Sequence, residues 1–290
     1  MKKYEEIKKA SILGIVGNLF LTLIKGIIGF ITNSQAMIAD FFNSAGDIIS
    51  SVMTFIGNKI ASIPKDEDHN LGHGKAEYIY SMLVSIILFL TSIIILKDSF
   101  KVVIFHIKYE YSNYLIIVCI ITIIIKILLY FYTNKLAKKY NNILIKANSK
   151  DHLNDAIISI LNLISAFLAL NNIYIIDGIV GIIIGLWILY TSIKIFKESY
   201  DVLMDKSISN ELKNKVYEVI NKHKEVIKVI HFNSTPVGYQ YQISFTIYVD
   251  GNLSTFDSHQ IADTLEKEID NEFDEIYLTI IHVNPMKIEK

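Results

Sequence analysis

Six stretches of this chain are apolar over the length of a bilayer, and no other feature restricts its fold as strongly. A hydrocarbon core takes roughly 20 mostly apolar residues in a helix. The windows are residues 10–32, 36–60, 78–96, 114–132, 151–170 and 173–195. Backbone groups inside lipid must be satisfied within their own segment, so each window is read as a helix. The second and fifth are the least apolar, because each contains carboxylates. Composition agrees: 52% of the 290 residues are apolar and 20% charged, against about 45–50% and 25% in soluble domains. The leading MKKYEEIKKA has no cleavable-signal pattern, since the apolar run after it is too long and no A-x-A site follows.

The loops fix an orientation. Lys2, Lys3, Lys8 and Lys9 precede the first window, Lys59, Lys65 and Lys75 follow the second, and Lys135, Lys138, Lys139, Lys146 and Lys150 follow the fourth. With six spans these fall on one side, which the positive-inside rule makes cytoplasmic, together with both termini.

From about residue 200 the chain becomes mixed and charged, so the expected division is 1–200 in the membrane and 201–290 outside it. Ser207-Ile-Ser-Asn-Glu offers a helix start before an amphipathic run to His223. Residues 226–233 and the alternating 239–249 read as strands, with Pro236 and Gly238 marking the turn between them. Residues 254–273 read as a helix and 276–283 as a third strand. The expected fold class is therefore an α-helical membrane protein of six transmembrane helices with a C-terminal α+β cytoplasmic domain, ordered α-β-β-α-β. A net charge of −1 gives no electrostatic case for nucleic acid. The single cysteine, Cys119, can form neither an internal disulfide nor a thiolate cluster.

Function enters through a repeat. Ala39-Asp40-Phe-Phe-Asn43-Ser-Ala-Gly-Asp47-Ile-Ile-Ser-Ser51 aligns with Ala147-Asn148-Ser-Lys-Asp151-His-Leu-Asn-Asp155-Ala-Ile-Ile-Ser159. Asn43 and Asp47 lie four apart, as do Asp151 and Asp155, so each pair shares a helical face. Two such helices facing each other would converge four oxygen-bearing side chains. A carboxylate within a span costs about 2.5–3.5 kcal/mol on insertion scales, and three together repel; a divalent cation relieves both. The competing reading is that each acid pairs with a lysine, Lys25 and Lys126 lying within spans, or caps a helix end. An amide with three carboxylates is a hard oxygen site, suited to Mn, Mg or Ca more than to Zn. His152, next to Asp151, points roughly 100° away around the helix and is read as a neighbour rather than a ligand.

On these residues the chain resembles the cation diffusion facilitator family of metal/proton antiporters. The resemblance rests on Asn43-x-x-x-Asp47, on Asp151-x-x-x-Asp155, on Pro64-Lys-Asp66-Glu-Asp-His69-Asn-Leu-Gly-His73-Gly-Lys75-Ala-Glu77, and on the tail ending Ile281-His282-Val-Asn284-Pro285. The Asn–Asp and Asp–Asp pairs resemble the manganese branch, whereas zinc members usually carry a His in one pair. The resemblance implies a homodimer exporting Mn(II) from the cytoplasm against inward protons, with no bound cofactor; Zn(II), Fe(II) or Cd(II) are the alternative cargoes. A bacterial cytoplasmic membrane is the expected location.

The resemblance also implies a second metal site at Asp66, His69 and His73. His259 and His282 match positions of a cytoplasmic metal cluster, but Thr246 and Asn284 replace two of its ligands and His231 is out of register. Lys75 and Asp205 match a pair formed where the two chains meet. Asp177 is read as sitting in headgroup water near the far interface. No enzyme is expected, since neither His-Glu-x-x-His nor Gly-x-Ser-x-Gly is present. A metal sensor that moves nothing is the other alternative, against which stand the acids within the spans.

Overall fold

The computed structural model describes residues 2–108, 112–140, 143–238 and 240–287. All six windows are helices: α1 (Lys2–Thr32), α2 (Gln35–Ala61), α3 (Ala76–Phe105), α4 (Asn113–Tyr140), α5 (Ile143–Ala169) and α6 (Ile175–Leu203). Most extend beyond their apolar windows, because a helix continues past the hydrocarbon edge until a residue stops it. Asn33 and His106 adopt left-handed φ angles of 58° and 51° directly after α1 and α3, the conformation that ends helices and that short polar side chains tolerate. Asn172 and Asp205 do the same shortly after α5 and α6.

Five of these helices are long and apolar enough to cross a membrane. The sixth, α2, falls short of that composition because it carries Asp40, Asn43 and Asp47. It packs inside the bundle instead. Its Ala36 and Ala39 join a core with Ile95, Ile158, Val180, Ile184 and Ile188. Met37, one residue round, joins a second core with Leu115, Val118, Cys119, Ala166 and Ala169. Small side chains at the start of α2 thus let it sit between its neighbours. Long apolar side chains such as Leu23, Phe30, Leu90, Leu128 and Leu186 stay half or more exposed, as lipid-facing residues must.

The chain divides into two compact units, Met1–Met53 with Leu83–Phe196, and Thr54–Met82 with Lys197–Lys290. The second holds α7 (Asn210–Ile220), β1 (Lys228–Val237), β2 (Gln240–Asp250), α8 (Thr255–Glu272) and β3 (Ile276–Met286), in the expected α-β-β-α-β order. The sheet runs β1-β2-β3, antiparallel then parallel. Alternate β2 residues Ile243, Phe245, Ile247 and Val249 bury one sheet face under Val216, Val219 and Ile220 of α7 and Leu265 and Ile269 of α8. Ser209 caps α7 by accepting from the backbone N–H of Leu212, and Ser254 caps α8 by accepting from that of Asp257.

The tail departs from the sequence reading at one turn. Pro236 does not mark it but lies inside β1, opposite Tyr241. β1 is an edge strand, where a residue lacking N–H does no harm. Gly238, at φ 63°, makes the turn; Tyr239, the expected first residue of the second strand, is outside the described residues. A bulge between Ile230 and Asn233 places His231 at φ 53°.

Candidate metal centre

Asn43 and Asp47 of α2 and Asp151 and Asp155 of α5 line one cavity of about 560 Å³. Gly14 and Asn18 of α1, Leu88 of α3, Thr133 of α4, and Trp187 and Thr191 of α6 complete much of its wall. The four predicted residues therefore come together, as the repeat requires. Their environments differ. Asp47 and Asp151 are open to the cavity, and among the described residues neither side chain has a hydrogen-bond or ion-pair partner. Asp155 is buried at 5% exposure, where Lys126 of α4 donates to its Oδ2. Lys126, 2% exposed, also donates to Asn18 Oδ1 at 2.6 Å. The three cavity carboxylates do not close into a ready-made cage: the one group of three or more His, Cys, Asp or Glu with all donor atoms within 4.8 Å, among the described residues, lies elsewhere.

Pairing with lysines, the competing explanation for the intramembrane acids, thus applies to some of them. Asp40 is 1% exposed; it accepts from Lys25 Nζ at 2.7 Å and from Asn162 Nδ2 at 2.9 Å. Asp40 is absent from the cavity wall. The repeat therefore splits by position: Asp40 is neutralised within the bundle, and Asp47 and Asp151 are left free to meet a ligand.

Asp177 is placed otherwise than the sequence suggested, and His152 lines the cavity wall. Asp177 is not in headgroup water. It is 1% exposed and accepts from Ser34 Oγ at 2.5 Å and from the backbone N–H groups of Gln35 and Ala36 at 2.6 and 3.3 Å. A carboxylate of α6 caps α2, where its charge also meets the positive end of the helix dipole. His152, the neighbour of Asp151, lines the same cavity, 5% exposed, against Gly14, and its Nδ1 is buried without a hydrogen-bond partner among the described residues. Asn18 was not anticipated; the signal was a polar residue inside an apolar window, four residues after Gly14.

The loop residues also meet. His69 Nδ1 and His73 Nε2 lie 3.1 and 3.5 Å from the two carboxylate oxygens of Asp66, and the imidazole centroids are 4.3 Å apart. This is the one group with metal-ligand spacing among the described residues. The backbone N–H of His69 donates to Asp66 at 2.7 Å and holds that carboxyl below the ordinary aspartate range. Lys75 pairs with Asp205 at 2.6 Å within one chain. His259 borders a separate cavity of about 380 Å³ beside Asp250 and Val283. His282 Nε2 lies 3.0 Å from Asn284 Oδ1, and its strand partner is Thr246.

A helical membrane bundle with an acid-lined cavity, joined to a small α+β domain, defines a class of membrane cation carriers. Residues 11–204 match the cation efflux transmembrane domain and residues 208–286 the cytoplasmic domain of cation efflux proteins. The chain belongs to this cation efflux, or cation diffusion facilitator, family. It is 31% identical to an uncharacterised transporter of Methanocaldococcus jannaschii, over 96% of this chain and 98% of the relative. It is 29% identical to the manganese efflux system protein MneP of Bacillus subtilis, over 96% of each chain, and 30% identical to MneS of the same organism, over 99% of each.

Proposed function

We propose that this protein exports Mn(II) from the cytoplasm in exchange for protons, working as a homodimer in a bacterial cytoplasmic membrane with both termini inside. The convergence of Asn43, Asp47, Asp151 and Asp155 on one cavity carries this reading. The donors are all oxygens of carboxylate or amide, the set that hard divalent ions prefer. Asp151 and Asp155 lie in the half of α5 next to a lysine-bearing loop, as does Thr133 of α4 in the cavity wall, so the cavity leans toward the side that the positive-inside rule makes cytoplasmic. Two relatives similar along nearly the whole chain are named for manganese efflux. The family model matched by residues 208–286 is named for a dimer, which supports a paired assembly.

Protons and metal compete for the same carboxylate oxygens, so release of one favours binding of the other. Reorientation of the bundle around the site would expose it alternately to the two sides. The acids serve as ligands for a cargo and not as catalytic groups, so the protein is a carrier and not an enzyme. A site that only sensed metal would gain nothing from carboxylates placed inside a span.

Zn(II) or Fe(II) export is a second reading, favoured by the ring nitrogen of His152 in the cavity wall, which has no hydrogen-bond partner among the described residues. Flux in proteoliposomes with an imposed proton gradient tests both. Proton-coupled Mn(II) flux that exceeds Zn(II) flux and disappears in Asp151→Ala upholds the first reading. Zn(II) preference with the same loss replaces it by the second. Absence of flux for every ion would leave a sensor.

A further inference from the structure

Lys126 lies in the middle of α4, which has the highest mean hydropathy of the candidate membrane spans, and is almost fully buried. An ammonium there is costly unless it is paired, and it has two partners of different kinds. One is the carboxylate of Asp155, a ligand of the site described above. The other is the neutral amide oxygen of Asn18, on α1. Asp155 therefore already holds a cation supplied by the chain itself, whereas Asp47 and Asp151 hold none among the described residues.

We infer that Lys126 is a built-in counter-cation that competes with the metal for Asp155, and that Asn18 keeps the ammonium when the metal takes the carboxylate. The inference rests on Asn43, Asp47, Asp151 and Asp155 being the transport site. Charge supports it: three ionised carboxylates are balanced by one divalent ion together with one ammonium, and by neither alone. The geometry supplies the exchange, because the ammonium can surrender one acceptor and keep the other without becoming an orphan in the bundle. The effect is to weaken metal binding and speed release. A carrier needs this, because a site that neutralises its cargo too well does not let it go. Lys126 acts through Asp155 and so is a positioning residue.

The test uses the full chain in lipid nanodiscs for Mn(II) binding, and in proteoliposomes for flux as a function of Mn(II) concentration. Lys126→Met removes a unit charge a few ångströms from the metal position, and is expected to tighten Mn(II) binding by about tenfold or more. Both KM and maximal flux should fall, because release slows. Asn18→Leu removes the alternative acceptor and is expected to weaken binding in the native background, yet to change it little once Lys126 is already Met. Damage to the fold would weaken binding in each variant and could not reproduce these opposite signs.

Binding in a folded Lys126→Met protein that is unchanged or weaker overturns the inference. So does an Asn18→Leu effect of equal size in both backgrounds. If Lys126→Met does not fold, Asn18→Leu carries the test alone, and unchanged or tighter binding overturns the proposal. Asp151→Ala separates the two levels. If native protein and Asp151→Ala bind Mn(II) equally, the transport site itself is wrong. If Asp151→Ala binds one Mn(II) per chain fewer than the native protein, the site stands, and the Lys126 and Asn18 variants decide the inference.

Discussion

Asp177 on α6 accepts the hydroxyl of Ser34 at 2.5 Å, 143 residues away in the chain, and so holds the first turn of α2. Ser165 of α5 reaches the same carboxylate at 3.4 Å. One buried acid thus ties together three helices, two of which carry the cavity ligands. Removing it leaves the N–H groups of Gln35 and Ala36 without their acceptor, although Ser34 Oγ still accepts from the N–H of Met37 at 3.2 Å. Asp177→Ala is expected to cost about 1–2 kcal/mol from the lost cap alone, and more if Ser34 is left unsatisfied. Asp177→Asn, which keeps an acceptor oxygen, should cost less. Thermal unfolding of the purified protein in detergent, followed by size-exclusion fluorescence, checks the order; equal midpoints for native protein and Asp177→Ala would refute the capping role.

The buried pair Lys25–Asp40 should behave as a unit. Lys25→Met alone leaves a carboxylate without its counter-charge and is expected to destabilise by about 3–5 kcal/mol. Lys25→Met with Asp40→Leu removes both charges and should recover much of that loss, although Asn162 then lacks a partner. The double-mutant cycle in detergent unfolding reads the coupling directly.

The cavity acids should separate by stability as well as by flux. Asp47→Ala and Asp151→Ala are expected to abolish Mn(II) flux while leaving the unfolding midpoint unchanged or slightly raised, because each removes a mutually repelling charge that pairs with nothing described. Asp155→Ala should abolish flux and also lower the midpoint, because it deprives buried Lys126 of its charged partner. Flux and unfolding measured on the same preparations distinguish the two patterns.

The loop group Asp66, His69 and His73 should bind a divalent metal without being required for transport. Asp66→Ala is expected to remove one bound ion per chain and to leave flux at half or more of its native value, measured by metal analysis beside the flux assay. The acid dependence has a definite sign. Because the Asp66 carboxyl is held below its ordinary value, it stays ionised to a lower pH than an unperturbed aspartate does. Protonation of Asp66 should therefore contribute to loss of loop metal only at a lower pH than an ordinary aspartate would, as a pH series of metal analysis on the native protein reads.

Close backbone approach makes a further demand. A Cβ on Gly74 would lie 2.6 Å from the Cα of Gly238, with backbone on both sides and nothing flexible to move. Gly74→Ala is expected to push apart the loop carrying His73 and the β1–β2 turn, lowering the unfolding midpoint and weakening metal binding at Asp66, His69 and His73. Gly57→Ala, at 3.1 Å from the Cα of Glu77, is a milder comparison, and the two midpoints should fall in that order.

The helices, the α-β-β-α-β tail and the pairing of Asn43–Asp47 with Asp151–Asp155 were all legible in the sequence, because each depends on local periodicity. An apolar run of bilayer length can only be a helix, and spacing by four places two side chains on one face wherever the helix packs. What periodicity cannot register is which buried acid faces which neighbour. Asp40 and Asp155 carry the same side chain and both lie in the least apolar windows, yet only the packing of α1 beside α2 and α4 beside α5 brings Lys25 to one and Lys126 to the other. Asp177 looked like an interfacial acid because it stands near a helix end; it is a cap because the end it serves belongs to a different helix. His152 follows Asp151 in the chain and points differently, yet its ring lies against Gly14 of α1 and remains in the cavity wall. The sequence determined which residues share a face, since that is set by the geometry of one helix. The tertiary structure alone decided which of them meet a counter-charge and which are left for a metal, since that is set by the contact of two.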